Sequence, residues 1–234
     1  IDLISGMVGE TDENWQENIR RTIELDPESV TIYQMELPFN TVYSQDILGN
    51  RIETPVADWP TKRGWVDQAF RQLEEAGYHV SSAYTMVKNP DKVTFSYRDN
   101  LWMGSDLLAT GIASFGHVSG VHYQDLPEWD DYVGALLEDD RLPLGRGNRP
   151  TDSQLLIREM ILQLKKGHLE AGYFQDKFSV DILQQWDATW TGFEEEGLLT
   201  RGSDRIDLTR QGLLCADALL PAFFEEQHQG VRYT

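Results

Sequence analysis

The chain has 234 residues, and its 39 Asp and Glu against 20 Lys and Arg give a formal net charge of −19 at pH 7. A chain this acidic repels phosphate backbones unless its bases gather on one face, which argues against a nucleic-acid partner, and no stretch approaches the ~20 apolar residues of a membrane-spanning helix. The single cysteine, Cys215, excludes an internal disulfide framework and an all-cysteine metal or iron–sulfur site within the chain, while 40% hydrophobic residues with seven Trp supply a core.

The chain opens on Ile1-Asp2-Leu3-Ile4, an apolar run that reads as a buried strand. It lacks an initiator Met and a basic, apolar leader, so the start reads as internal to a longer protein, and the expected setting is the cytoplasm. Gly6 and Gly9 then mark a turn, Thr11 is placed to cap a helix, and Trp15, Ile19, Ile23 and Leu25 recur at helical spacing until Asp26-Pro27. Val30, Ile32, Tyr33 and Met35 predict a second strand. Trp65, Val66, Ala69, Phe70 and Leu73 predict a second helix that stops at Ala76-Gly77, and Tyr78 to Tyr84 predicts a third strand. Strands alternating with helices imply parallel pairing, so residues 1 to 86 read as βαβαβ. A polar insertion from Pro38 to Trp59 follows the second strand, at the edge where α/β folds carry their function.

From Leu107 to His117 the residues are small and apolar, a composition that suits close approach by backbone or ligand. A short helix is expected from Trp129 to Leu137, then a linker from Leu142 to Pro150. Thr151 is placed to cap a helix bearing Leu155, Ile157, Ile161 and Leu164. Helix, turn and helix follow, then strands at Leu198 to Thr200 and Arg205 to Leu208 around Gly202-Ser203-Asp204, and a last helix. That order is winged-helix-like.

Three stretches together carry a resemblance: IDLISGMVGETDENWQENIRRTIEL with VTIYQMELPFNT, NLWMGSDLLATGIASFGHVSGVHYQ, and FEEEGLLTRGSDRIDLTRQGLLCADALL. They resemble the radical S-adenosylmethionine enzymes of the oxygen-independent coproporphyrinogen III oxidase type. Family members show D-L-I-x-G-L-P-G-Q-T where this chain has Asp2 to Thr11, with Val8 and Glu10 replacing the family's Pro and Gln. The resemblance implies an α/β fold: the C-terminal part of a partial (β/α)6 barrel with its β extension over residues 1–142, then a small, mostly helical, winged-helix-like domain over 151–234. It also implies S-adenosylmethionine as cofactor and, in the parent protein, a 4Fe-4S cluster on a C-x-x-x-C-x-x-C loop. With Cys215 alone this chain holds no ligands for that cluster and is expected to be inactive by itself.

By resemblance, Asp2 contacts the ribose hydroxyls of S-adenosylmethionine, where the residue alone reads equally as a turn acceptor. The Met35 backbone meets the adenine, Gln34 points into the cavity with Glu36 on the same strand face, and Gly111, Ser114 and Phe115 line the cavity. Tyr33 and Met35 read otherwise as core. No catalytic residue stands out and no metal site is expected: His117 and His122, read along one strand, fall on opposite faces, which speaks against ligation with Asp125. Tyr43, Tyr84, Tyr97, Trp102 and Tyr123 offer flat surface for a tetrapyrrole. Arg98, Arg146 and Arg149 suit its propionates, or equally surface ion pairs. Glu194, Glu195 and Glu196 read as a solvated face and Cys215 as a buried structural thiol.

The function implied is a radical S-adenosylmethionine oxidoreductase acting on a tetrapyrrole-like small molecule through a 5′-deoxyadenosyl radical. The alternatives are a methyltransferase of the same fold and a haem-binding chaperone with His79, His117 or His122 as ligand, with a winged-helix nucleic-acid binder behind them. Uncovered strand edges predict a homo-oligomer or pairing with the missing N-terminal half.

Overall fold

In the computed structural model, which describes residues 1–37, 41–49 and 56–229, the chain begins with strand β1 (Asp2–Ser5) and helix α1 (Asp12–Leu25). Thr11 caps α1 as its position predicts, its hydroxyl accepting from the Asn14 amide at 3.2 Å. Asp26 ends the helix in the left-handed region at φ 53°. Strand β2 (Ser29–Gln34) lies parallel to β1, with Asp2 opposite Thr31 and Ser5 opposite Gln34.

The expected insertion contains a helix, α2 (Val42–Leu48), while residues 38–40 and 50–55 of it lie outside the described residues. Helix α3 (Trp59–Glu75) starts well before Trp65 because Asp58 caps it, accepting from the Thr61 amide at 2.9 Å. Its buried face, Trp65, Val66, Ala69, Phe70 and Leu73, packs with Trp15 and Ile19 of α1 and Val30 and Ile32 of β2.

The parallel third strand expected from Tyr78 to Tyr84 is a correction. His79 and Val80 form a short edge strand, β3, and the chain reverses so that β4 (Thr85–Val87) runs back antiparallel between β3 and β2. The reversal is held by the Ser81 and Ser82 amides on the Thr85 carbonyl at 2.8 and 3.2 Å. Burial decides the arrangement: Thr85, Met86 and Val87 are all buried, whereas His79 and Val80 are exposed.

Contacts divide the chain into two compact units, one of Ile1–Thr94, Leu164–Tyr173 and the described part of Asp181–Thr234, the other of Phe95–Gln163 and Phe174–Val180. In the second unit, helix α4 (Ser96–Trp102) precedes strands β5 (Phe115–Val118) and β6 (Val121–Asp125), helix α5 (Trp129–Leu137), strand β7 (Leu144–Asn148) and helix α6 (Asp152–Leu164). The expected linker thus contains β7, the outer strand of an antiparallel sheet ordered β5-β6-β7.

The β5–β6 turn corrects the placement of the histidines. Ser119 and Gly120 both take positive φ, 51° and 74°, closing a two-residue hairpin. His117 and His122 then face each other in register on one side of the sheet, with ring centroids 4.4 Å apart. Burial pushes both imidazoles below their ordinary value, and the Arg158 charge adds to this at each ring. In the same unit buried Glu159 accepts from Lys177 at 2.8 and 2.9 Å.

The rest of the first unit comprises strand β8 (His168–Glu170), the start of helix α7 (Ala171–Phe178), helices α8 (Ile182–Gln185) and α9 (Asp187–Glu195), strands β9 (Leu199–Arg201) and β10 (Arg205–Leu208), and helices α10 (Arg210–Leu214) and α11 (Ala216–Leu219). The three strands form an antiparallel sheet ordered β8-β10-β9. Trp190 is its anchor, fully buried against Phe223 at 4.5 Å with its indole N–H on the Ile182 carbonyl at 2.9 Å.

Two outcomes are expected. A methyl at Gly212 would overlap the Leu198 backbone carbonyl, so Gly212→Ala should cost about 1–3 kcal/mol in urea unfolding. For the histidine pair the sign follows from their depressed values: the unfolded chain binds the protons more readily, so stability is intact above about pH 6.5 and falls as pH drops below it. Urea midpoints at pH 7.5 and 5.5 should show the loss, and His122→Gln should reduce it.

Candidate functional site

The C-terminal ends of β1 and β2 bring polar groups together. Ser5 is fully buried and its hydroxyl has no hydrogen-bond partner in the described structure. Level with it, Gln34 donates to the Leu214 carbonyl at 3.3 Å, and its own carbonyl oxygen is buried and unpartnered. Glu10, standing where the resemblance expects Gln, accepts from the Gly6 and Met7 amides at 2.6 and 3.3 Å, so the carboxylate itself closes the turn after β1.

Lys62 crosses beneath this edge with 4% of its surface exposed. Its ammonium donates to the Met35 carbonyl at 2.7 Å and lies 3.7 Å from the centre of the Trp59 ring. Its aliphatic stem passes Gly6, at φ 89°, where a Cβ would collide with it. Burial lowers the ammonium's pKa, and the nearby Glu36 charge works against that shift.

Beside these groups lies a cavity of about 540 Å³ lined by Tyr33, Gln34, Glu36, Trp59, Arg63, Tyr84, Lys165, Cys215 and Asp217. Tyr33 and Tyr84 stack at 6.5 Å with their planes 24° apart. The Tyr84 hydroxyl donates to Asp217 at 2.7 Å, and Lys165 reaches the same carboxylate at 3.1 Å. Burial, with the Asp217 charge adding to it, pushes the Tyr84 phenol far up, so it remains a proton donor at neutral pH. Cys215 donates to the Gln211 carbonyl at 3.1 Å, and burial raises its thiol against the pull of Arg63. The thiol therefore forms part of the wall, in the protonated state, instead of being sealed in the core.

Of the residues singled out from sequence, Gln34, Glu36, Tyr84 and Cys215 line this cavity. Tyr33, read alternatively as core, is 49% exposed and belongs to the wall. Met35 follows β2, its amide on the Ser5 carbonyl at 2.8 Å. Asp2 is exposed at the start of β1, opposite Thr31 and three residues before the level of Gln34, about 10 Å along the strand.

Gly111, Ser114 and Phe115 belong to the other unit. There the Gly111 amide, at φ 109°, meets the Tyr132 hydroxyl at 3.0 Å, Ser114 donates to the Thr110 carbonyl at 2.9 Å, and Phe115 is exposed. Of the arginines expected to seek propionates, Arg98 pairs with Asp99 at 2.9 Å and Arg146 donates to Gln124 at 2.7 Å.

Lys62, Arg63, Trp59 and Lys165 were not singled out from sequence. One signal for Lys62 was there: it falls on the same helical stripe as Trp65, Val66, Ala69 and Phe70, and a lysine on a buried stripe needs a polar partner. Among the described residues no group of three His, Cys, Asp or Glu side chains is arranged to hold a metal. With one cysteine, half-buried and hydrogen-bonded, the chain does not fit an iron–sulfur cluster by its own ligands. Also among those residues, no helix is long and apolar enough to cross a membrane.

No protein-family model matches the chain. It is similar to the oxygen-independent coproporphyrinogen III oxidase of Thermostichus vulcanus, 24% identical across 92% of this chain and 69% of that protein. The heme chaperone HemW of Bacillus subtilis is 20% identical across 97% of this chain and 59% of its own length. Among solved structures, the coproporphyrinogen III oxidase HemN of Escherichia coli, a radical SAM enzyme, superposes with a TM-score of 0.74 at 18% identity, covering 95% of this chain and 54% of that one. The chain thus spans between about half and two thirds of the proteins it matches. Across that span it has the α/β fold of the radical SAM enzyme HemN, and almost its whole length is similar to the oxygen-independent coproporphyrinogen III oxidases and to HemW.

Proposed function

We propose that this chain is the tetrapyrrole-handling part of a longer radical SAM protein of the oxygen-independent coproporphyrinogen III oxidase kind, working in the cytoplasm as an oxidoreductase. The observation that carries this is the cavity at the end of β2, where stacked Tyr33 and Tyr84 and the Trp59 ring provide flat apolar walls while Arg63 provides positive charge. Flat walls suit a tetrapyrrole and cations suit its carboxylates. In this reading residues 1–142 form the barrel part and 151–234 a winged-helix-like cover.

When bound, with a cluster whose ligands come from outside this chain, S-adenosylmethionine would supply the radical chemistry. The unpartnered buried oxygens of Ser5 and Gln34 fit a ligand rich in hydroxyl and amino groups and would hold part of it. Asp2 and the Met35 backbone are assigned to the same cofactor by resemblance. The chain's own task is then to seat the substrate, exclude water and hold protons: Tyr84 stays protonated on Asp217, and Lys165 balances that carboxylate.

The test is anaerobic reconstitution of the complete protein with coproporphyrinogen III. Substrate-dependent formation of 5′-deoxyadenosine with loss of carboxyl groups as CO2 supports the oxidase. Stable haem binding and transfer to an acceptor without cleavage of S-adenosylmethionine identifies a chaperone instead. Within this chain, Tyr33→Ala removes an exposed stacking face, and coproporphyrin affinity should fall about tenfold in a fluorescence titration with little change in stability.

A further inference from the structure

The sheet of the second unit presents a face that the proposed function leaves unused. Its register sets His117, His122 and Asn148 in one row and Phe115, Gln124 and Arg146 in the next, and alternation along each strand puts both rows on one side. The 4.4 Å between the two imidazoles and the 2.7 Å bond from Arg146 Nε to the Gln124 side-chain oxygen show the side chains meeting there. A groove of about 270 Å³ lies on this face, lined by Phe115, His122, Gln124, Arg146 and Asn148 among others. In a chain with 39 acidic residues against 20 Lys and Arg, no residue lining this groove is acidic.

The polar groups of the groove are donors in excess of acceptors. Gln124 donates to the Ala113 carbonyl at 3.1 Å and spends its oxygen on Arg146, which has no carboxylate partner among the described residues. The charges acting on the His122 ring are positive, from His117 and Arg158, and a backbone hydrogen bond at Gly116 favours its charged form. One ring nitrogen is thus a donor to that carbonyl, and the other becomes a donor only when the ring is protonated. Behind His122, the His117 ring is 4% exposed with Nδ1 buried and unpartnered, and Arg158 has a buried, unpartnered Nη1. Two carboxylates, Asp106 and Glu159, act on His117, and both are engaged elsewhere: Asp106 accepts from the Ser119 amide at 2.9 Å and Glu159 from Lys177.

We propose that this groove binds a tetrahedral oxyanion, free or as the head of a phosphate or sulfate ester, between Arg146, Asn148 and His122. Arg146 supplies a fixed charge, Asn148 a neutral donor, and His122 a donor gained with a proton. His117 on β5 and Arg158 on α6 oppose that proton, and an anion beside the ring reverses the balance, so anion and proton bind together. All of these residues belong to the second unit, so the site stands whether or not the cavity at the end of β2 seats a tetrapyrrole.

The test titrates the full chain with inorganic sulfate, which stays a dianion through the neutral range, by calorimetry at constant ionic strength. Sulfate should fill one site, take up a proton on binding, and bind about tenfold more tightly at about pH 6 than at about pH 8. The His122 ring resonance, identified as the signal lost in His122→Gln, should move toward its protonated position as the site fills. Arg146→Gln, on an exposed strand, should weaken sulfate about tenfold and keep the proton uptake. His122→Gln should abolish the proton uptake and the pH dependence. Absence of saturable binding, binding equally strong in Arg146→Gln, or a pH dependence unchanged in His122→Gln would overturn the proposal. If His122→Gln does not fold, Arg146→Gln and the His122 resonance of the wild type decide, and a resonance that sulfate does not move overturns it equally. Inorganic phosphate and ethyl phosphate then separate the sources. Tighter binding of the ester identifies an esterified ligand resting on Phe115, and equal or weaker binding identifies the free anion.

Discussion

The contact on which the first unit depends is that between Trp15 and Trp65. The two indoles stack at 6.4 Å, and each finds a partner for its N–H: Trp15 on the Trp65 carbonyl and Trp65 on Asp12, both at 2.9 Å. An aromatic pair of this kind adds about 0.5–1.5 kcal/mol beyond the area it buries. Its larger consequence is geometric. It sets α1 against α3 on β2, and the start of α3 then delivers Trp59, Lys62 and Arg63 to the end of β2.

A parallel pair of strands leaves its C-terminal ends without further ladder partners, and here they are satisfied by side chains. Glu10 takes two amides of the turn after β1, and Lys62 takes the Met35 carbonyl. A buried ammonium is expensive unless paired, so its presence means that the edge was built around it. Gly6 is required for the same reason, since its missing Cβ is the lane for the lysine stem. The remaining unpartnered oxygens, on Ser5 and Gln34, are therefore conspicuous in an edge otherwise closely matched.

The second unit shows how a two-residue turn changes chemistry. Along one strand, residues five apart fall on opposite faces, but the Ser119-Gly120 turn folds His117 onto His122 across a ladder. The pair is neutral by burial, with Arg158 holding both values down.

Local pattern carried the first helix, the two parallel strands and the hairpin around Gly202-Ser203-Asp204. Each rests on a short-range rule: a capping Thr11, apolar spacing in β2, and turn residues between β9 and β10. The resemblance in motif also pointed to the fold that the superposition with HemN bears out. What the sequence left undetermined depends on competition between distant segments. Which of His79–Val80 and Thr85–Val87 occupies the sheet interior is settled by which buries more, and Ser81-Ser82-Ala83 carries no Gly or Pro to announce the reversal. The expected linker becomes β7 because β6 offers it a free edge. Lys62 becomes a buried cation only because Gly6, Met35 and Trp59, far apart along the chain, close around it. Burial and pairing of this kind are properties of the assembled fold, and no local spacing encodes them.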